Sequence, residues 1–241
     1  MKKYNGLCST IKKSFMDYKQ FGDKLILSGI LEGVIVLLAI LVPSIAFPIV
    51  AYSFLCVGQA GFCLAILSEK KADVKNVFCN YKTFLNAFTA KILVVATAML
   101  CLFLFIIPAI IVLLNYSFVS HIIATNNFTP FQALAESRKM TKGIRLGLLA
   151  IWIFGLFSVA VCGALGFGIV AIVSTFSVLT LFWKLFIAIM FSLVPFFTFA
   201  FPIFNLMISN AFLQVKNYDI QNSKKKINKN ISQPKTSAPL I

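Results

Sequence analysis

Acidic residues are scarce: seven Asp and Glu stand against 22 Lys and Arg, with a single His, in 241 residues. So few carboxylates and imidazoles leave little material for a hydrolytic dyad, and no His/Cys set converges at metal-ligand spacing. G-x-S-x-G, H-E-x-x-H and a Gly-rich phosphate loop before a Lys are all missing. The six cysteines (Cys8, Cys56, Cys63, Cys79, Cys101, Cys162) contain no C-x-x-C and read as small buried apolar side chains. Charged residues make up only 12% of the chain, against about a quarter in soluble domains. These shortages argue against an enzyme, a metal centre and a cofactor site.

What the chain has instead is apolar length. It is 60% hydrophobic, with a mean hydropathy of +0.93. A helix needs roughly 20 mostly apolar residues to cross a hydrocarbon core about 30 Å thick. Blocks of that kind predict an all-α, polytopic transmembrane bundle with about six spans: 25–42, 47–67, 88–107, 109–126, 145–173 and 185–213. They pair into three hairpins, each preceded by an interfacial amphipathic helix. Pro43 and Pro48 mark the first turn and Pro108 divides the second pair. Gly163, Gly166 and Gly168 leave open a break in the last block, giving seven or eight segments; an even count keeps the tail inside. The membrane domain takes 1–222, and 223–241 reads as a disordered basic tail.

Twenty-one of the cations fall in four segments: Met1–Lys24, Ser68–Lys91, Arg138–Arg145 and the tail from Lys216. Positive loops resist translocation, so these segments and both termini are expected on the cytoplasmic side. That accounts for the net charge of +15 without nucleic acid. Tyr4, Tyr18 and Tyr81 suit the inner interface, and Trp183 with Lys184 the outer one. Lys19, Lys82, Arg138, Lys139 and Lys142 are candidate contacts for anionic headgroups, and Lys91 reads as a snorkelling anchor. Met1–Lys24 is too polar for a secretory signal, so the first helix is expected to remain.

Phe15–Phe21 and Phe78–Phe84 share F-x-x-Y-K-x-F, each before a predicted hairpin. Either one unit is repeated, or cytoplasmic helices simply place aromatics and Lys at headgroups. A third polar helix, Pro130–Lys142, has the clearest local signals. Thr129 as N-cap, Pro130 at the first position and Gln132 at the third form a capping box, and Gly143 suits the stop.

Ile106-Ile-Pro108-Ala-Ile110, Asn115-Tyr116-Ser-Phe118, Ile122-Ile-Ala124 and Phe131-Gln-Ala133-Leu134-x-x-Ser137-Arg138-x-Met140-x-Lys142-Gly143 form one extended motif. It resembles the bacterial family of uncharacterised integral membrane proteins called domain of unknown function 975. More distantly, it is similar to the membrane domain of some glycerophosphodiester phosphodiesterases. The likeness is firmest over Gly61–Leu149; Ala109 stands where Gly is expected, and the chain beyond Gly168 looks longer than the family's. The resemblance implies a multi-span protein of the bacterial cytoplasmic membrane and no catalytic residue. Its motif positions are Pro108, Tyr116, Ser137, Met140 and Gly143, the last four expected to fix the third polar helix against the bundle.

Glu32 is the only acid within a predicted span and should face the bundle with a partner. Gln59, Asn115 and His121 share its half of the membrane, as do Asn205 and Asn210. They would line a polar cavity or, more plainly, make interhelical hydrogen bonds. Two functions follow: a non-catalytic protein organising membrane lipids or a membrane-protein partner through its basic collar, or a transporter of a small or amphipathic solute using Glu32.

Overall fold

The computed structural model describes residues 6–41, 46–69, 81–126, 128–176, 191–193 and 195–232. Among these there is no strand. The chain runs through α1 (Leu7–Leu41), α2 (Ala46–Glu69), α3 (Tyr81–Leu104), α4 (Ile106–Asn115), α5 (Val119–Asn126), α6 (Pro130–Thr141) and α7 (Arg145–Phe176). A π-helical turn, Phe196–Ala200, then leads into α8 (Phe201–Ser232). Among the described residues, four helical stretches are long and apolar enough to cross a membrane: Thr83–Phe103, Ile106–Thr125, Arg145–Ile169 and Phe191–Lys225. This is a helical membrane protein by length and composition.

The helices depart from the six-span expectation at identifiable residues. The stretches 25–42 and 47–67 fall on α1 and α2, where the apolar stretch on α2 is the shorter Ser53–Ser68. The stretch 109–126 is not one helix, because a turn at Tyr116–Phe118 separates α4 from α5. The break before α4 lies at extended Phe105 rather than at Pro108, which sits in the first turn of α4 where a missing N–H costs nothing. In α7 the helix continues through Gly163, Gly166 and Gly168, so no break falls there. Pro43, Trp183, Lys184, Tyr4 and Cys79 lie outside the described residues, as do 78–80 of the second F-x-x-Y-K-x-F.

The first polar segment forms a helix of its own, joined to the apolar remainder of α1 across a kink at Phe21 (φ −117°, ψ 17°). It runs antiparallel along α8, held by polar rungs: Gln214 Nε2 donates to Thr10 Oγ1 (3.2 Å), and Asn210 Nδ2 to Ser14 Oγ (3.1 Å) and Asp17 Oδ2 (3.0 Å). Thr10 and Ser14 are fully buried there. Of the expected disordered tail 223–241, the part up to Ser232 is instead helical, as the end of α8. Extension from an already packed helix avoids the cost of a new nucleus; residues 233–241 lie outside the described set.

Two glycines bring α1 onto the π-helical turn. A Cβ on Gly29 would collide with the Phe197 carbonyl, and one on Gly33 would meet Phe197 Cβ at 3.3 Å. This G-x-x-x-G spacing lets the two backbones approach closely. The turn itself follows from Pro202, which has no N–H for the Thr198 carbonyl four residues earlier. Tyr18 Oη donates to that carbonyl at 3.2 Å.

The main core forms around α5. Phe118, Ile122 and Ile123 pack with Ala133 and Met140 of α6, Leu148 and Ile151 of α7, and Met207, Ala211 and Phe212 of α8. A second cluster joins Leu25, Phe62, Cys63, Ile66 and Leu206. By contrast, α3 beyond Lys91, α4 and α7 carry large exposed apolar side chains, including Phe103 (93%), Phe105 (72%) and Phe167 (76%).

Candidate functional site

Polar side chains gather where α3, α5, α7 and α8 meet. A cavity of about 220 Å³ is lined there by Lys91, Tyr116, Ser117, Ser120, His121 and Asn205, with walls that include Val95, Leu113, Trp152 and Phe204. Lys91 is therefore not simply a snorkelling anchor: it lines this cavity and lies within electrostatic reach of His121. No acid lines the cavity, so its one formal charge is positive.

The walls are fixed by specific contacts. Trp152 Nε1 donates to Ser117 Oγ at 3.0 Å, tying α7 to the α4–α5 turn. The Trp152 and Phe204 rings meet edge to face, with centroids 5.7 Å apart. Gly155 makes room for Phe204: a Cβ there would lie 2.7 Å from the ring.

His121 and Ser209 are hydrogen-bonded, Nε2 to Oγ, at 2.9 Å. Cys63 of α2 and Glu32 of α1 are also fully buried, and both stand apart from the cavity lining.

The four expected cavity residues do not share one space. Only His121 lines the cavity, joined by Asn205, whose Nδ2 donates to the Phe201 carbonyl at 3.0 Å. Glu32 and Gln59 are fully buried away from it, and none of their four side-chain polar atoms has a hydrogen-bond partner among the described residues. Asn210 instead ties down the first segment of α1. Asn115 contributes its backbone: Ser137 Oγ donates to its carbonyl at 2.8 Å, and Thr141 Oγ1 at 3.4 Å. In a continuous helix the Val119 N–H would fill that role, but it turns back to Tyr116 at 3.2 Å.

The other motif residues surround this link. Met140 is buried in the main core, Tyr116 caps α4, and Pro108 lies half-buried in α4. Gly143 turns the chain from α6 to α7 at φ +94°, a left-handed conformation that favours glycine. At the other end of α6 the capping box forms, with Thr129 N donating to Gln132 Oε1 at 3.2 Å.

Among the collar candidates, Lys19, Arg138, Lys139 and Lys142 are exposed. Lys82 is the second residue of α3. Lys139 pairs with Glu136 at 3.7 Å on the surface, where such pairs contribute little. Among the described residues no group of three His, Cys, Asp or Glu could hold a metal.

Sequence reading missed the inward Lys91, for which a lone Lys near a span end gives no warning. It also missed the close approach at Gly29, although G-x-x-x-G spacing was available as a signal. No family model, curated protein or solved structure matches this chain.

Proposed function

We propose a non-catalytic, multi-pass protein of the cytoplasmic membrane that organises anionic lipid at its inner face. The basic segments support an even number of crossings with both termini cytoplasmic. The likeness of Gly61–Leu149 to the uncharacterised family supports a bacterial cytoplasmic membrane.

One observation carries the reading: the cavity has a cationic and hydrogen-bonding lining, no acid, and apolar walls that reach exposed Val95 and Leu113. Its volume is below the roughly 300–1,000 Å³ of pockets that enclose a whole drug-sized ligand, so it suits a headgroup whose chains stay in the bilayer. Separately, exposed Arg138, Lys139 and Lys142 lie on and just after α6, whose other face is buried, which fixes them at the surface. Each cation near anionic lipid contributes about 1 kcal/mol. Replacing all three by Gln is expected to weaken binding of phosphatidylglycerol in nanodiscs. Unchanged binding would count against the collar.

A second reading, transport of a small or amphipathic solute, is favoured by Glu32. It is fully buried and has no hydrogen-bond partner among the described residues. On that reading Glu32→Gln stops flux at unchanged abundance; normal flux removes Glu32 from the mechanism.

A further inference from the structure

We propose that the α3–α4 hairpin is a re-entrant wedge. It enters from the cytoplasmic face, turns near the middle of the bilayer and leaves by the same face, so its partner is the acyl-chain layer of one leaflet. This goes beyond the lipid-organising function and revises the stretches 88–107 and 109–126 as two crossings.

The tip gives the first reason. Leu102–Ile111 contains no polar side chain, and Phe103, Phe105, Ile106 and Ile107 are between 67% and 93% exposed. A turn reaching the far headgroups or water would leave all of this surface wet, whereas hydrocarbon matches it. The backbone at the turn is closed in part: Phe105 N donates to the Cys101 carbonyl at 2.8 Å, and Pro108 brings no N–H to the open first turn of α4. The Ile106 and Ile107 N–H groups stay open, a cost that the apolar surface of the tip must offset.

Depth gives the second reason. The ten residues of α4 rise about 15 Å, and Lys91 to Leu104 rises about 20 Å, at 1.5 Å per residue. Both fall short of a core about 30 Å thick; α3 counted from Thr83 is long enough to cross, but its part before Lys91 lies on the cytoplasmic side of the level that Lys91 marks.

Charge fixes the level of the hairpin's root. Asn115, at the end of α4, is bonded to Ser137 and Thr141 of α6. The same stretch of α6 and its end present Arg138, Lys139 and Lys142 to the surface. Three exposed cations belong at headgroups, so Asn115 does too. Lys91 marks a similar level on the other leg, sharing the cavity with Tyr116 and His121.

The apolar run Ile106–Thr125 is long enough to cross, but its second half is not available to lipid. Val119, His121, Ile122 and Ile123 of α5 are all buried in the protein core. From the same level, the 32 residues of α7 rise about 48 Å, long enough to cross.

The test places single cysteines at Phe103 and Phe105 of the full chain, with native cysteines replaced by Ser or Ala. Each is labelled with bimane in vesicles containing lipids spin-labelled at the headgroup or at the acyl-chain end. We expect the chain-end nitroxide to quench both positions more strongly. In intact cells, neither cysteine should react with an impermeant maleimide. Stronger quenching from the headgroup nitroxide, or labelling from outside, would overturn the wedge. Both side chains are exposed, and agreement between the two positions guards against a local disturbance at either.

Discussion

The Ser137 hydroxyl closes the end of α4 by donating to the Asn115 carbonyl at 2.8 Å. One side chain of α6 therefore sets where α4 stops, where α5 starts, and at what level the cations beside it lie. Ser137→Ala leaves a buried acceptor short of its nearer donor, at a cost of about 1–3 kcal/mol. Thr141→Val should cost less, because its one hydroxyl proton has nearer acceptors in the Ser137 (3.0 Å) and Arg138 (3.2 Å) carbonyls than in that of Asn115 (3.4 Å). The double variant should lose more than the sum of the singles, since each hydroxyl partly covers for the other. Thermal unfolding in mild detergent measures all three, and a neutral Ser137→Ala would show that the bond does not hold the turn.

Gly29→Ala should damage the fold far more than Gly33→Ala. At Gly29 the added methyl meets the Phe197 carbonyl, which belongs to backbone; at Gly33 it meets a side chain at 3.3 Å. Overpacking that forces backbone apart costs about 1–3 kcal/mol or more. Membrane abundance and melting temperature of the two variants, side by side, check this. Equal behaviour would mean that α1 does not seat on the π-helical turn as described.

Much of the local structure could be read before the tertiary contacts were known. Thr129, Pro130 and Gln132 announce the start of α6, and Gly143 its end, because caps and left-handed turns depend on neighbouring residues alone. The long-range links are different in kind. Nothing around Asn210 points to Ser14 and Asp17, and nothing around Ser137 points to a carbonyl 22 positions earlier. Hydropathy also fails to separate an apolar helix facing lipid from one facing protein. That is why Ile106–Thr125 reads as a single span although α5 is buried in the core.

Glu32→Gln should leave stability unchanged or raise it. The native side chain has no hydrogen-bond partner among the described residues, so the substitution breaks no bond and removes an ionisable group from the interior. Detergent melts of the two forms give the answer. A clear drop would mean that Glu32 holds a structural partner and is not a poised functional group.

Gly155→Ala should reshape the cavity without breaking the fold. The new methyl displaces the Phe204 ring, a side chain able to move, towards the space it borders. Lipid retention should therefore fall while the melting temperature shifts by less than for Gly29→Ala. Loss of folding with retention intact would contradict this.

The most direct measurement is native mass spectrometry of the protein released gently from its own membrane, comparing wild type with Lys91→Gln. The account predicts that wild type keeps one anionic phospholipid per chain through mild activation, and that Lys91→Gln loses it while staying folded. Equal retention by both forms, or retention of zwitterionic lipid in its place, would contradict a cationic headgroup site at the cavity.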